Sequence, residues 1–103
     1  MSWKRNINWM YEVIIKPRAE KEFAKLPKEL KEKFYIEFKK LSQNPFAHPQ
    51  IKRIKGTKLG WRLSIDRWRI LFTLFPKEKR IEIVDIFLRK EKEDYKKRIK
   101  LIQ

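Results

Sequence analysis

Between Lys55 and Phe72 the chain reads Lys-Gly-Thr-Lys-Leu-Gly-Trp-Arg-Leu-Ser-Ile-Asp-Arg-Trp-Arg-Ile-Leu-Phe, with apolar residues alternating with polar ones on both sides of Asp66-Arg67. A period of two is the signature of a half-buried strand, and two such runs around a polar pair predict an antiparallel hairpin. If the turn has two residues, Ile65 faces Trp68, Leu63 faces Ile70 and Trp61 faces Phe72 on one side. Ser64 then faces Arg69 on the other, with Arg62 beside it. Neither Asp66 nor Arg67 is a glycine, so a tight turn is strained, and a longer loop with a shifted register stays open. In the two-residue register one face buries itself and the other holds Arg62 and Arg69 on rigid strands.

The remaining elements follow from periodicity and punctuation. Trp9 to Lys16 alternate and form a first strand ended by Pro17. A helix from about Arg18 to Leu26 places Ala19, Phe23 and Leu26 on one face. Pro27 opens a second helix whose stripe is Leu30, Phe34, Phe38 and Leu41, ending at Asn44-Pro45. The outer face of this helical hairpin carries Lys28, Lys31, Lys39 and Lys40, balanced in part by Glu29, Glu32 and Glu37. Ile51 to Gly56 is an edge strand or a loop. After the turn at Phe75-Pro76 to Arg80, the nearly continuous apolar run Ile81 to Leu88 predicts a central strand. A last helix from about Lys90 to Ile102 aligns Tyr95, Ile99 and Ile102. Strand, helical hairpin, sheet and terminal helix together predict an α+β fold, with the N-terminal strand and helical hairpin packed on an antiparallel β-sheet.

Composition narrows the function. The 103 residues, 42% hydrophobic and 14% aromatic, suffice for one small core, so a single domain over 1–103 is expected. Lys and Arg number 28 against 13 Asp and Glu, a net charge of +15 that favours polyanions, nucleic acid first. No apolar run approaches the roughly 18 residues of a membrane span. The opening residues lack the apolar stretch of a signal peptide, so a cytoplasmic protein without a membrane partner is expected. The absence of cysteine excludes thiolate metal sites, and the single histidine leaves an imidazole-based site without partners. Glu91, Glu93 and Asp94 suit a helix start better than a metal site.

The strand–helix–helix–sheet order, the Leu26-Pro27 dipeptide, Ile54-Lys-Gly56 followed by Gly60 to Phe72, and Ile83-Val-Asp-Ile-Phe-Leu-Arg-Lys90 resemble the RelE/ParE toxin superfamily. The resemblance covers about Tyr11 to Ile99 and leaves residues 1–10, with Trp3 and Trp9, as an N-terminal extension. It implies a toxin of a type II toxin–antitoxin system with a cognate antitoxin as partner. The RelE branch cleaves mRNA on the translating ribosome without a cofactor, whereas the ParE branch acts on DNA gyrase and usually lacks the ribonuclease residues. On the RelE pattern, Arg62 stands where a basic residue is typical on the strand after the glycine. Arg69 matches the arginine of the next strand, Arg89 the arginine ending the last strand, and Tyr95 the tyrosine six residues on. The pattern's second lysine on the first hairpin strand is Ser64 here, and Lys55, before Gly56, is the candidate to compensate.

Such a ribonuclease lets the substrate's 2′-hydroxyl attack the neighbouring phosphate, while the protein positions the RNA and stabilises the phosphorane. Arginines suit this because a guanidinium stays protonated and donates two hydrogen bonds to phosphate oxygens. The resemblance thus assigns Arg62, Arg69, Arg89 and Tyr95 to catalysis. Lys52, Arg53, Lys55, Lys58 and Arg67, clustered in sequence around the hairpin, are expected to contact the RNA backbone. Plainer roles compete: solvated arginines on an open face, an ion pair of Arg89 with Asp85, and core packing for Tyr95. His48, in the proline-bounded Pro45-Phe-Ala-His-Pro49, reads as structural or solvent-facing, which leaves the general base to Tyr95, a lysine or the ribosome. The mRNA endonuclease leads; a gyrase-directed ParE-like toxin and an inert basic nucleic-acid-binding module are the alternatives.

Overall fold

Prolines set the entry to both helices of the helical hairpin. The computed structural model describes residues 10–89, 92–100 and 102, and of residues 92–95 the backbone only. The first nine residues, with Trp3 and Trp9 of the expected extension, lie outside the described residues, as do Lys90 and Glu91. Strand β1 (Glu12–Ile15) ends at Lys16, and Pro17 takes the first position of α1 (Pro17–Ala24), where its missing N–H costs nothing. Extended Pro27 (ψ 156°) begins α2 (Lys28–Gln43). That helix ends at Gln43, because Asn44, the residue ahead of Pro45, is pushed out of the helical region. A 3₁₀ turn (Pro45–Ala47) then leads to β2 (Ile51–Arg53), β3 (Gly60–Ile65), β4 (Trp68–Phe75), β5 (Arg80–Leu88) and α3 (Lys92–Ile99). No described helix is long and apolar enough to cross a membrane.

The strands form one sheet in the order β1-β5-β4-β3-β2. The hairpin has the two-residue turn and the pairing expected from alternation, Ile65 with Trp68, Leu63 with Ile70, Trp61 with Phe72 and Ser64 with Arg69. Asp66 adopts φ 53°, which aspartate tolerates better than most residues, so no longer loop is needed. Ile51 to Arg53 resolve as a three-residue edge strand, antiparallel to β3. Strand β5 is central, as its apolar run implied. The sheet is mixed rather than wholly antiparallel, because β1 runs parallel to β5. The chain leaves β1 through two helices and reaches β5 only much later, a connection long enough for a parallel pairing.

The face covered by α1 and α2 holds the main core, in which Phe34, Phe38, Leu41, Leu63, Ile70, Phe72, Ile81, Ile83 and Ile86 are fully buried. Phe34 meets Phe38 edge-on at 6.1 Å and Trp68 at 5.9 Å, fixing α2 over the hairpin. Burial of each such ring contributes on the order of 2–3 kcal/mol. On the opposite face Ile54, Leu71 and Phe87 make a smaller cluster against Ile99 and Ile102. A register shift opposite Leu71 and Phe72 inserts one extra residue into β5 between Ile83 and Asp85. It turns the end of β5 over: Ile81 and Ile83 face the main core, while Asp85 and Phe87 face the α3 side.

Asp85 is fully buried there. Its Oδ1 accepts the Ile86 N–H at 2.9 Å and lies 3.5 Å from Arg18 Nε, and its Oδ2 accepts a hydrogen bond from Arg98 Nη1 at 2.8 Å. The partners of Asp85 are therefore Arg98 and Arg18, and the sequence expectation that offered Arg89 is corrected. Arg98 also stacks on Phe87 at 4.5 Å. These contacts clamp α3 to the sheet.

Candidate RNA-binding cleft

On the same face as α3, side chains that share a register position point the same way. Lys52 pairs with Arg62, and Ser64 with Arg69, so all four stand on one side of the sheet. Arg89 joins them through the hairpin turn, since its backbone N–H donates to the Arg67 carbonyl at 2.9 Å. A cleft of about 620 Å³ is lined by Lys52, Arg62, Ser64, Arg69 and Arg89, with Lys33 and Glu37 of α2 forming another wall. Arg62, Arg69 and Arg89, from three separate strands or strand ends, thus open onto one cavity.

The arginine of β4 is held in place. Arg69 Nη1 donates to the carbonyls of Asp66 and Trp68, each at 2.9 Å, so its guanidinium lies back over the turn. Lys33 forms an ion pair with Asp66 on the same turn. A donor already fixed by carbonyl contacts loses little freedom when it takes an anion, which is the physical content of preorganisation. Arg89 is exposed at the rim of the cleft.

The other expected contacts divide by face and position. Lys52 lines the cleft. Arg53, its neighbour, pairs with Trp61 and so points to the opposite side of the sheet. There its Nη2 donates to the Lys58 carbonyl at 2.7 Å and its guanidinium lies 5.8 Å from the Trp61 ring, bracing the β2–β3 loop. Lys55 and Lys58 are exposed in that loop and do not line the cleft, and Arg67 is exposed at the hairpin turn. Around Ser64 the positive charge comes from Lys52 and Lys33 rather than from Lys55. The side chains of Tyr95, Glu93 and Asp94, and all of Glu91, lie outside the described residues. Among the described residues no three His, Asp or Glu side chains cluster in a way that would hold a metal ion.

Two features of this region were not read from the sequence. Gly60 carries the start of β3 so close to its loop that an added Cβ would sit 2.5 Å from Thr57 Oγ1 and 2.9 Å from Ile102 Cγ2. His48 is buried at 8% exposure, and its Nε2 meets Glu37 Oε2 at 2.9 Å. The histidine is buried rather than solvent-facing, and Glu37 is not simply a counter-charge on the outer helix face. It is half-buried and turned towards the cleft. The i, i+4 spacing of Lys33 and Glu37 was a legible sign that they share one wall.

A mixed five-stranded sheet with three helices is the fold of the RelE toxins. The chain superposes on RelE in the archaeal RelE–RelB complex from Pyrococcus horikoshii with a TM-score of 0.70 and 22% identity, covering 80% of this chain and 98% of that one. A mutant of the E. coli toxin RelE in the free state gives a TM-score of 0.73 at 16% identity, covering 91% and 99%. The RelB–RelE antitoxin–toxin complex from Methanococcus jannaschii gives 0.62 at 19%, covering 79% and 95%. No curated protein sequence matches the chain. The profile of the ParE toxin of the type II toxin–antitoxin system, parDE, matches residues 13–93, and the protein belongs to that family within the RelE/ParE toxin superfamily.

Proposed function

We propose that this toxin acts as a RelE-like, ribosome-dependent mRNA endonuclease, held in check by a cognate antitoxin. The observation that carries the reading is the convergence of Arg62, Arg69 and Arg89 on one cleft. In the reaction the 2′-hydroxyl of the RNA attacks the adjacent phosphate, and charge accumulates on the non-bridging oxygens. Arg69, fixed over the turn, and Arg89 bind those oxygens. Arg62, paired across the sheet with Lys52, assists and guides the chain. Tyr95 stacks on a base or passes a proton. Lys52 meets backbone phosphate directly, while Lys55, Lys58, Arg67 and, more remotely, Arg53 add long-range attraction. No metal or cofactor enters the scheme.

The test is cleavage of mRNA on programmed ribosomes, with the 5′ ends mapped. Wild-type protein is expected to cut within the A-site codon, and Arg69→Ala and Arg89→Ala to lower the rate by about 10²–10³ each while remaining folded. The family match to ParE toxins favours one other reading, a gyrase poison that cleaves nothing itself. Intact mRNA together with inhibited DNA supercoiling would replace the endonuclease by that reading.

A further inference from the structure

The cleft contains a carboxylate that a simple phosphate-binding surface does not call for. Asp66 is matched by Lys33, but Glu37 stands among cations without serving any of the three cleft arginines in a described contact. Instead it is fixed from behind. His48 Nδ1 accepts the Gln50 N–H at 3.1 Å, so the ring proton sits on Nε2 and is donated to Glu37 Oε2 at 2.9 Å. The His48 side chain is only 3% exposed, and this hydrogen bond sets the direction of the carboxylate. The second oxygen, Oε1, has Lys40 at 3.7 Å, an exposed lysine beyond hydrogen-bond reach. One oxygen of this cleft-lining side chain is therefore anchored, and the other, with only the longer contact to Lys40, keeps acceptor capacity.

We infer that Glu37 is the general base of the cleavage reaction and that His48 is its positioning residue. This rests on the mRNA-cleaving reading above and supplies the proton acceptor that the arginines, permanently protonated, do not. The 2′-O–H proton passes to Glu37 Oε1 as the O2′–P bond forms. The P–O5′ bond breaks with its electron pair, and the 5′-oxygen takes a proton from water. The products are a 2′,3′-cyclic phosphate and a 5′-hydroxyl, and Glu37 returns its proton to solvent. A carboxylate beside phosphate-binding cations weakens ground-state binding, so its contribution belongs to the rate of the chemical step rather than to affinity.

The experiment is single-turnover cleavage on programmed ribosomes with varied toxin concentration. Glu37→Gln keeps the shape and an acceptor for His48. It is expected to slow the saturating rate by about 100-fold or more, with the half-saturating concentration changed by less than about threefold. In Glu37→Ala, added formate should restore part of the rate where chloride at equal ionic strength does not. His48→Gln, which retains an N–H donor, should stay nearer to wild type than His48→Ala. Wild-type cleavage with Glu37→Gln within about threefold of it overturns the base assignment alone, as does a folded Glu37→Ala that formate leaves unchanged. A wild-type protein that cuts nothing removes the endonuclease reading and this assignment together.

Discussion

Replacing Asp85 by asparagine measures how firmly α3 is tied to the sheet. The carboxylate is fully buried and bonded to the Ile86 N–H and to Arg98. Asparagine can keep its carbonyl oxygen on the Ile86 N–H, but its amide then points an N–H donor at the donors of Arg98. A hydrogen bond to a charged group contributes about 1.5–3 kcal/mol. The Arg98 side chain is 31% exposed and can turn to water, so the loss belongs in the lower half of that range, about 2 kcal/mol. The 3–5 kcal/mol of a stranded buried charge does not apply, since the charge left behind is the accessible one. With an unfolding entropy of about 2.1 cal/mol/K per residue over this length, 2 kcal/mol lowers the melting temperature by roughly 9 °C. Urea and thermal unfolding of the wild type, Asp85→Asn, Arg98→Ala and the double variant form the cycle. The coupling energy should exceed about 1 kcal/mol, and one below about 0.3 kcal/mol would refute the clamp.

Gly60→Ala forces its new methyl against Thr57 Oγ1 and Ile102, and should cost about 1–3 kcal/mol of stability, read as a lower urea midpoint at unchanged slope. An unchanged midpoint would mean that the 54–60 loop packs more loosely than described. Lys52 and Arg53, adjacent in sequence but on opposite faces, should separate in single-stranded RNA binding followed by anisotropy across a salt series. Lys52→Ala should reduce the slope of log K against log salt by about 0.7, the value of one lost phosphate contact. Arg53→Ala should leave the slope nearly unchanged and lower thermal stability, and equal slope losses would contradict the facing of the two side chains.

Much of the fold was legible because the signals were local. Alternation around Asp66-Arg67 predicted the observed pairing for a two-residue turn and left only the turn length open, and the Leu30, Phe34, Phe38 and Leu41 stripe marked the buried side of α2. What escaped was non-local. Nothing in Glu12 to Ile15 announces a parallel partner some seventy positions away, and the extra residue in β5 lies in a mostly apolar run whose two carboxylates, Glu82 and Asp85, are too few to fix parity. Arg62, Arg69 and Arg89 were placed by their family resemblance, and the hairpin register shows why the first two meet. The Glu37–His48 contact spans a helix end and a proline-bounded loop, a pairing that no periodicity encodes. Lys52 and Arg53 had indistinguishable sequence settings until β2 was seen to be a strand, where neighbours must point apart.

The insertion in β5 lets a single strand serve two masters. Its first half feeds isoleucines to the phenylalanines of α2, and its second half delivers Phe87 to α3 and Arg89 to the cleft rim. Were β5 to run regularly through Val84 without the bulge, side-chain parity beyond it would reverse and the Asp85 carboxylate would face the phenylalanines of α2. The bulge therefore decides which side of the sheet receives Asp85 and Phe87.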